Sequence, residues 1–395
     1  MWDLGSWIFL ALGVLALVAA LASLREGVQF SRYVRRSGRE GASDLPPVAI
    51  LAPVRAEEEA LAANLEGLLD QDYPRYRVVF AVDGEDDPAV AVIERAIARH
   101  RIPAKIVLSP GPHGGSGKAA ALARAAEELA PGDRVVVTWD ADARPHRHWL
   151  ASLVSGLGEG VGAATGYRWY SPAGGFWTAV RSAWNATGYS VLFRDRHNFA
   201  WGGSTAIPRE VFESAGIRAR WPSWLSDDLA VTVAVKERGL RVRFVPRAVC
   251  VTEDPCDRRA CVDWTTQQSA FVYAYYPRLT KYAALAYAMF DGIVVLGIVG
   301  LLLAVFVAPE YAVGAALLLA DIPLTAVKAE QRRAALAGVL PEWRETFTAD
   351  RAAFLLASLV VPWLMLLNLW RVRRLTAIAW RGRTYPMPRP IEKRY

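Results

Sequence analysis

Residues 6–24 carry no charged side chain. At about 1.5 Å per residue, a helix of that length crosses a hydrocarbon core of about 30 Å. Only Asp3 precedes the run, whereas Arg25, Arg32, Arg35, Arg36 and Arg39 follow it. Positive charge gathers on the cytosolic flank of a span, so the chain is expected to continue in the cytosol. A cleaved signal peptide is the rival reading, but no basic segment or obvious small-residue cleavage site accompanies the run. Further apolar segments lie near 289–307, 311–327 and 352–370. Ala308-Pro309-Glu310 joins the first two as a helical hairpin, and Lys328, Arg332 and Arg333 mark its return. Arg371, Arg373, Arg374, Arg381 and Arg383 then ask for a cytosolic tail, while counting spans puts that tail on the far side. Either one segment is re-entrant or interfacial, or the charge rule fails here.

The rest of the chain is of another kind. Between about 45 and 277 no stretch is long and apolar enough to span, so a purely membrane-embedded bundle is excluded. With 53% hydrophobic residues the chain can bury enough surface to offset its ordering entropy, which excludes disorder. Three cysteines in 395 residues exclude a disulfide scaffold. The formal charge of +7 suits nucleic acid, an anionic membrane face or phosphate-bearing substrates alike.

Strand-like and helix-like runs alternate through this middle. Val48-Ala49-Ile50-Leu51 closes at Pro53, and 57–69 has helical spacing, with Leu61, Leu65, Leu68 and Leu69 on one face. A strand is predicted at 76–82, a helix at 89–98, a strand at 105–108, a helix at 118–130 and a strand at 134–139. Such alternation predicts a mainly parallel sheet covered on both faces. Ligands of such sheets bind at the carboxyl ends of the strands.

The polar residues after those strands fall into clusters. Glu57, Glu58 and Glu59 follow Pro53, and suit either a helix N-terminus or a ligand. Asp83, Glu85, Asp86 and Asp87 follow the second strand; they could accept from ribose hydroxyls, or form an ordinary acidic turn. Gly114-Gly115-Ser116-Gly117-Lys118 could hold a diphosphate, but Ala119 replaces the Ser or Thr of a P-loop. Asp140-Ala141-Asp142 sends two carboxylates the same way from an extended backbone, which suits a hard divalent ion. Asp227 and Asp228 open an apolar helix, with Ser226 as its cap; one of them could serve as a general base. Asp263 to Gln268 precede an aromatic-rich stretch and could line a channel or lie at the membrane interface.

In this order the clusters resemble membrane-bound family 2-type glycosyltransferases of the GT-A fold, and more closely the ceramide glucosyltransferase branch, family 21. The resemblance covers nearly the whole chain. It rests on Pro53 with its acidic follow-up, Gln71-Asp72-Tyr73-Pro74, Asp86-Asp87-Pro88-Ala89, Gly117-Lys118, the Asp140 cluster, Gly202-Gly203-Ser204, Asp227-Asp228 and Trp380-Arg381-Gly382-Arg383-Thr384-Tyr385. It implies an α/β GT-A type sheet, mostly parallel, with helices on both faces and transmembrane or interfacial helices at both ends. The implied organisation is a membrane anchor at 1–40, a cytosolic catalytic domain at 41–280 and a membrane-associated tail at 281–395.

The implied activity is an inverting, metal-dependent transfer of a sugar, glucose from UDP-glucose, onto the hydroxyl of ceramide or a similar membrane lipid. The donor would meet Pro53, Glu57, Asp83, Asp86, Asp87, Lys118, Asp140, Gln267 and Gln268. Asp140 and Asp142 would bring Mn2+ or Mg2+ to the diphosphate. Asp228, with Asp227 beside it, would deprotonate the acceptor. Trp169, Trp201 and Gly203 are acceptor-side candidates, as are Trp177 and Trp184, although core packing would explain each tryptophan equally well. The partners implied are the nucleotide sugar, the lipid and the bilayer of a bacterial inner membrane, with no nucleic acid and no protein partner. Where the family carries an Arg-Trp pair after its Gln, this chain has Ala270-Phe271 after Gln267, or Phe271-Val272 after Gln268. Arg278 or the tail arginines could take over the lost phosphate contacts. The departure counts against a processive polysaccharide synthase, which remains an alternative with a polyprenyl-phosphate glycosyltransferase; a non-catalytic scaffold is a third. Cys250, Cys256 and Cys261 fit no common zinc spacing. His146 and His148 are read as surface imidazoles rather than metal ligands, and the Asn185-Ala186-Thr187 sequon is discounted on a cytosolic face.

Overall fold

A computed structural model describes residues 2–37, 45–55, 60–109, 111, 114–195, 197–380 and 382–388. Glu57 with its neighbours Glu58 and Glu59, and Arg381 of the tail motif, lie outside the described residues. The strands are β1 (Val48–Pro53), β2 (Tyr76–Val82), β3 (Ala104–Leu108), β4 (Val135–Trp139), β5 (Val161–Thr165), β6 (Arg168–Tyr170), β7 (Ser204–Pro208), β8 (Arg241–Phe244) and β9 (Cys250–Thr252). Seven of them form one sheet in the order β3-β2-β1-β4-β7-β5-β8. β3, β2, β1 and β4 are mutually parallel, β5 is parallel to β8, and β7 runs antiparallel between β4 and β5. β6 and β9 pair separately.

The near-continuous apolar runs of β1, β2 and β4 are explained by burial on both faces. Ile50, Phe80 and Val137 pack beneath Leu65, Leu68 and Ile93. Their neighbours Leu51, Val79 and Val136 point the other way, onto Ala119, Leu122 and Val231. This is the mostly parallel, helix-covered sheet that the resemblance implies. The helix expected over 118–130 stops earlier, at Gly117–Ala125, and continues as a single 3-10 turn, Ala126–Glu128. Asp133 Oδ2 accepts from the Ala130 N–H at 2.7 Å, which turns the chain out of the helix towards Pro131-Gly132.

Among the described residues three helices are long and apolar enough to cross a membrane: Leu4–Ser37, Pro277–Phe306 and Tyr311–Ala337. Leu15, Val18, Leu302 and Val305 stand exposed on them, as side chains facing lipid would. Glycines bring the helices together: a Cβ at Gly13 would stand 2.8 Å from the Gly314 carbonyl, and one at Gly300 2.9 Å from the Ala315 Cβ.

The ambiguous last apolar segment is two helices, Arg351–Ser358 and Val361–Val372, bent by 55°. Both ends of this pair return to the α/β domain. Before it, Glu342 Oε1 accepts from Arg247 Nη2 at 3.3 Å; after it, Asp83 Oδ2 accepts from Arg383 Nη2 at 3.0 Å. A segment that leaves and rejoins the same domain does not cross. The bent pair is therefore re-entrant or interfacial, and the basic tail lies on the side of the α/β domain, where its arginines ask to be. A third core, built on Trp169, Tyr189, Leu336, Phe347 and Phe354, fuses this pair to the sheet domain.

Candidate active site

Four separate stretches of chain meet beyond the carboxyl end of β4. Asp140 and Asp142 follow that strand directly. Lys118 opens the helix Gly117–Ala125, which Ser116 caps by accepting from the Ala119 N–H at 3.1 Å. Asp227 opens the helix Asp227–Glu237, which Ser226 caps at the Leu229 N–H. Arg168 comes from β6.

Lys118 Nζ lies 2.6 Å from Asp140 Oδ1 and 3.1 Å from Asp227 Oδ1, so one ammonium ties together two acids 87 positions apart in sequence. Arg168 grips Asp142 with both terminal nitrogens, at 2.9 and 2.8 Å, and reaches Asp140 Oδ2 at 3.3 Å. Its guanidinium lies 5.0 Å from the Trp201 ring centroid and 5.2 Å from that of Tyr170, and donates to the Tyr170 hydroxyl at 2.5 Å. Burial disfavours the charge of Lys118, but Asp140, Asp227 and Asp228 outweigh it and hold the ammonium above its ordinary range. Burial likewise opposes the charge of Arg168, and Asp142 leads the groups that overcome it. Burial raises the Asp227 carboxyl; Lys118 opposes this, but Asp228 and Asp140 add to the rise.

Asp228 is half-buried and differently held. Its Oδ1 accepts from the Leu229 N–H at 2.8 Å and from the Ser226 hydroxyl. The two adjacent aspartates thus divide the work. Asp227 turns inward to Lys118, while Asp228 stays at the more accessible rim. Gly202 makes this possible: a Cβ there would run into Asp227 Oδ2 and stand 2.8 Å from Lys118 Nζ. Gly203 leaves room for the Trp201 ring in the same way.

The other candidates take varied places. Asp83 is exposed and pairs with Arg383 at 3.0 Å and Arg55 at 3.5 Å, on the glycine-loop side of the site. Pro53 closes β1 beside it. Asp87 caps the helix Pro88–Arg99 by accepting from the Ala89 N–H at 2.9 Å, and Asp86 is exposed in the same turn. Gln267 and Gln268 lie half-buried on the helix Arg258–Tyr275, and Gln267 Nε2 is buried without a partner among the described residues. Trp201 lies at the site through Arg168. Trp169 does not: it is 1% exposed, and its ring packs 4.7 Å from Phe347 and 5.3 Å from Phe354. Gln71 is a scaffold residue, accepting from the Leu150 N–H and donating to the Gly67 and His146 carbonyls. His146 is buried, with Nε2 2.6 Å from the Arg247 carbonyl, which corrects its reading as a surface imidazole. Asn185 is 5% exposed and donates to the Arg168 carbonyl, a poor glycan acceptor in any compartment.

The residue that sequence reasoning missed is Arg168. It hides between Tyr167 and Trp169, where tryptophan draws the eye. The available signal was alternation, because a single charge in an aromatic strand must find a buried partner.

Whether these residues suit a divalent ion follows from the donor set. Asp140 and Asp142 are hard oxygen donors, and both already face positive charge. Among the described residues no three His, Cys, Asp or Glu side chains gather into a cage. Two such carboxylates suit a hard divalent cation that completes its shell with water and substrate phosphate. Asp140 and Asp142 would hold it.

The chain is similar to several known proteins. A probable glycosyltransferase, YdaM, of Bacillus subtilis (strain 168) is 27% identical over 248 residues, 58% of this chain and 56% of its own length. A ceramide glucosyltransferase of Komagataella phaffii is 27% identical over 75 residues, 18% of this chain and 15% of its own. The chain thus matches little more than half the length of the first of these relatives and a small part of the second. Among solved structures, the mannosyltransferase PcManGT of Pyrobaculum calidifontis, in complex with GDP-Man and Mn2+, is 22% identical with a TM-score of 0.44, covering 89% of this chain and 99% of its own. Glucosyl-3-phosphoglycerate synthase of Mycobacterium tuberculosis is 16% identical with a TM-score of 0.39, covering 58% and 79%. The model of glycosyl transferase family 21 matches residues 8–389, and with nearly the whole chain inside that match, the protein belongs to glycosyl transferase family 21.

Proposed function

We propose that this protein transfers a sugar, with inversion, from a nucleotide donor to the hydroxyl of a membrane lipid, with UDP-glucose and a ceramide-like lipid as the pair to test first. The observation that carries the reading is the bridge of Lys118 between Asp140 and Asp227. It joins the strand end where a diphosphate would lie to the helix start where an acceptor would be deprotonated. The acceptor oxygen attacks the anomeric carbon, the bond from that carbon to the diphosphate oxygen breaks, and the acceptor proton passes to the Asp228 carboxylate. The products are the glycolipid and the nucleoside diphosphate. Lys118 and Arg168 keep the acid cluster from repelling the donor and lie where negative charge builds on the leaving group. A divalent cation held by Asp140 and Asp142 would neutralise the leaving diphosphate. Asp83 on the donor side accepts hydrogen bonds from the nucleoside, and Trp201 forms an apolar wall beside Arg168.

The membrane arrangement supports a lipid acceptor. The helices Leu4–Ser37 and Pro277–Phe306 are long and apolar enough to enter a bilayer, and the bent pair packs against the helix Arg258–Tyr275. The charge of Arg25, Arg32 and Arg35 after the first span supports a cytosolic catalytic domain. The domain limits that follow are an anchor at 1–40, a catalytic domain at 41–280 and a membrane-associated tail from 281.

The test is nucleoside diphosphate release by the full-length protein in lipid nanodiscs, with and without a ceramide-like acceptor. Release that requires the lipid, with the glycolipid found by mass spectrometry, is the expected result. Release with a polyprenyl phosphate only, or growth of a polymer, would replace the acceptor. No release with any sugar nucleotide would remove the enzymatic reading.

A further inference from the structure

The tail motif forms a β-hairpin, β10 (Ala377–Trp380) and β11 (Arg383–Pro386), with Trp380 opposite Arg383 and Ile378 opposite Tyr385. Gly382 makes its turn with φ of +72°. The hairpin has a seat on the α/β domain. Ile378 and Tyr385 are buried with Leu225, Ala270 and Val372, and the Trp380 ring meets Phe271 edge-on at 5.8 Å. Phe271 is one of the apolar residues found where the resemblance expects arginine and tryptophan, whether the pair is counted from Gln267 or from Gln268.

From that seat the hairpin reaches the glycine loop. The Gly117 N–H donates to the Tyr385 hydroxyl at 3.2 Å. A Cβ at Gly117 would run into Arg383 Nη1, so the glycine leaves the guanidinium its place. The other terminal nitrogen of Arg383 donates to Asp83 Oδ2 at 3.0 Å, and Arg55 approaches the same oxygen at 3.5 Å. Lys118, the next residue, lies between Asp140 and Asp227. The guanidinium of Arg383 thus stands between the acid expected at the nucleoside and the helix start expected at the phosphates. Its five N–H donors let one edge serve a carboxylate while the other serves phosphate.

We propose that Arg383, delivered by the C-terminal hairpin, is a diphosphate-binding residue of the donor site, with Asp83 fixing its orientation and Tyr385 fixing the hairpin to the glycine loop. The inference rests on the donor site lying where the proposed function puts it. The ligand class is a nucleoside diphosphate or its sugar ester. The recognition is local: Arg383 reads phosphate, not the base.

The test uses the full-length protein in nanodiscs with UDP and uridine as probes, in direct titration and in competition, for the wild type, Arg383→Ala and Arg383→Lys. Arg383→Ala should weaken UDP about tenfold or more, as loss of a charge-assisted contact predicts, and leave uridine within about twofold. Arg383→Lys, which keeps charge but not the fork, should fall between. Thermal unfolding of each variant without ligand reports whether the hairpin still docks. Unchanged UDP affinity, or equal losses for UDP and uridine, would overturn the proposal while leaving the donor site in place. A wild type that does not bind UDP would overturn this inference together with the function it rests on.

Discussion

Arg168 holds Asp142 in a two-pronged grip, one terminal nitrogen on each carboxylate oxygen, at 2.9 and 2.8 Å. A planar fork matched to a carboxylate, with the Trp201 and Tyr170 rings close by, sets the direction in which Asp142 and its neighbour Asp140 face. Arg168→Ala should leave Asp142 without its cation and Asp140 with Lys118 alone. Breaking such a buried pair costs about 3–5 kcal/mol, to be read as a lower unfolding midpoint in detergent. Any folded Arg168→Ala protein should bind Mn2+ more tightly in the absence of donor, because the arginine competes for the same oxygens. Calorimetric titration checks this, and weaker or equal Mn2+ binding would show that Asp140 and Asp142 are not the ligands.

The unequal surroundings of the paired aspartates separate their variants. Asp228→Asn keeps the helix-cap geometry and removes the proton acceptor, so turnover should fall by about 10²–10⁴ with UDP affinity little changed. Asp227→Asn removes a ligand of Lys118 and should weaken donor binding as well. Turnover near the wild-type rate in Asp228→Asn would assign the base elsewhere.

Asp227 also predicts a pH dependence of stability. Its carboxyl is raised by burial, so the folded state holds this proton to higher pH than the unfolded chain does. Stability contributed at this site is therefore greatest below the ordinary aspartate range and is lost as pH rises towards the folded value. The unfolding midpoint of Asp227→Asn relative to that of the wild type should rise as pH is raised from about 4 and then level off. Midpoints measured across that range in one buffer series would reveal it, and a constant difference would mean that Asp227 is not raised.

Gly202→Ala is a small change at a crowded point. The new methyl would meet Asp227 and Lys118, and overpacking of this kind costs about 1–3 kcal/mol. Donor affinity should drop with it, because the bridge must move. Parallel measurement of unfolding and UDP binding distinguishes a displaced bridge, which lowers both, from a tolerant loop, which lowers neither.

Trp169 separates packing from acceptor binding. Its ring is enclosed by Phe347, Phe354 and Tyr189. Trp169→Ala should cost about 3–5 kcal/mol of stability, with the KM for lipid unchanged in the protein that remains folded. A raised lipid KM without loss of stability would return this residue to the acceptor site.

Much of this protein was legible in its sequence, for reasons of periodicity and solvation. An uncharged run long enough to span has few other uses, and doubly buried strands such as Val78-Val79-Phe80 declare a parallel sheet. The aspartates of the site could be picked out because each follows a strand or opens a helix, positions that local pattern reveals. Partnership was not legible. Asp227 and Asp228 are adjacent and chemically identical, and only the packing of Gly202 and Lys118 shows which turns inward. Arg168 and Arg383 gain their importance from contacts 26 and 300 residues away in sequence. The side of the membrane on which the tail lies was equally hidden, because charge and span counting disagreed until both ends of the bent pair were found on one domain. Local chemistry determines which elements form and which faces they bury. Which distant charges then neutralise one another depends on three-dimensional proximity, because an ion pair is fixed by the distance and burial of its partners, and linear sequence encodes neither.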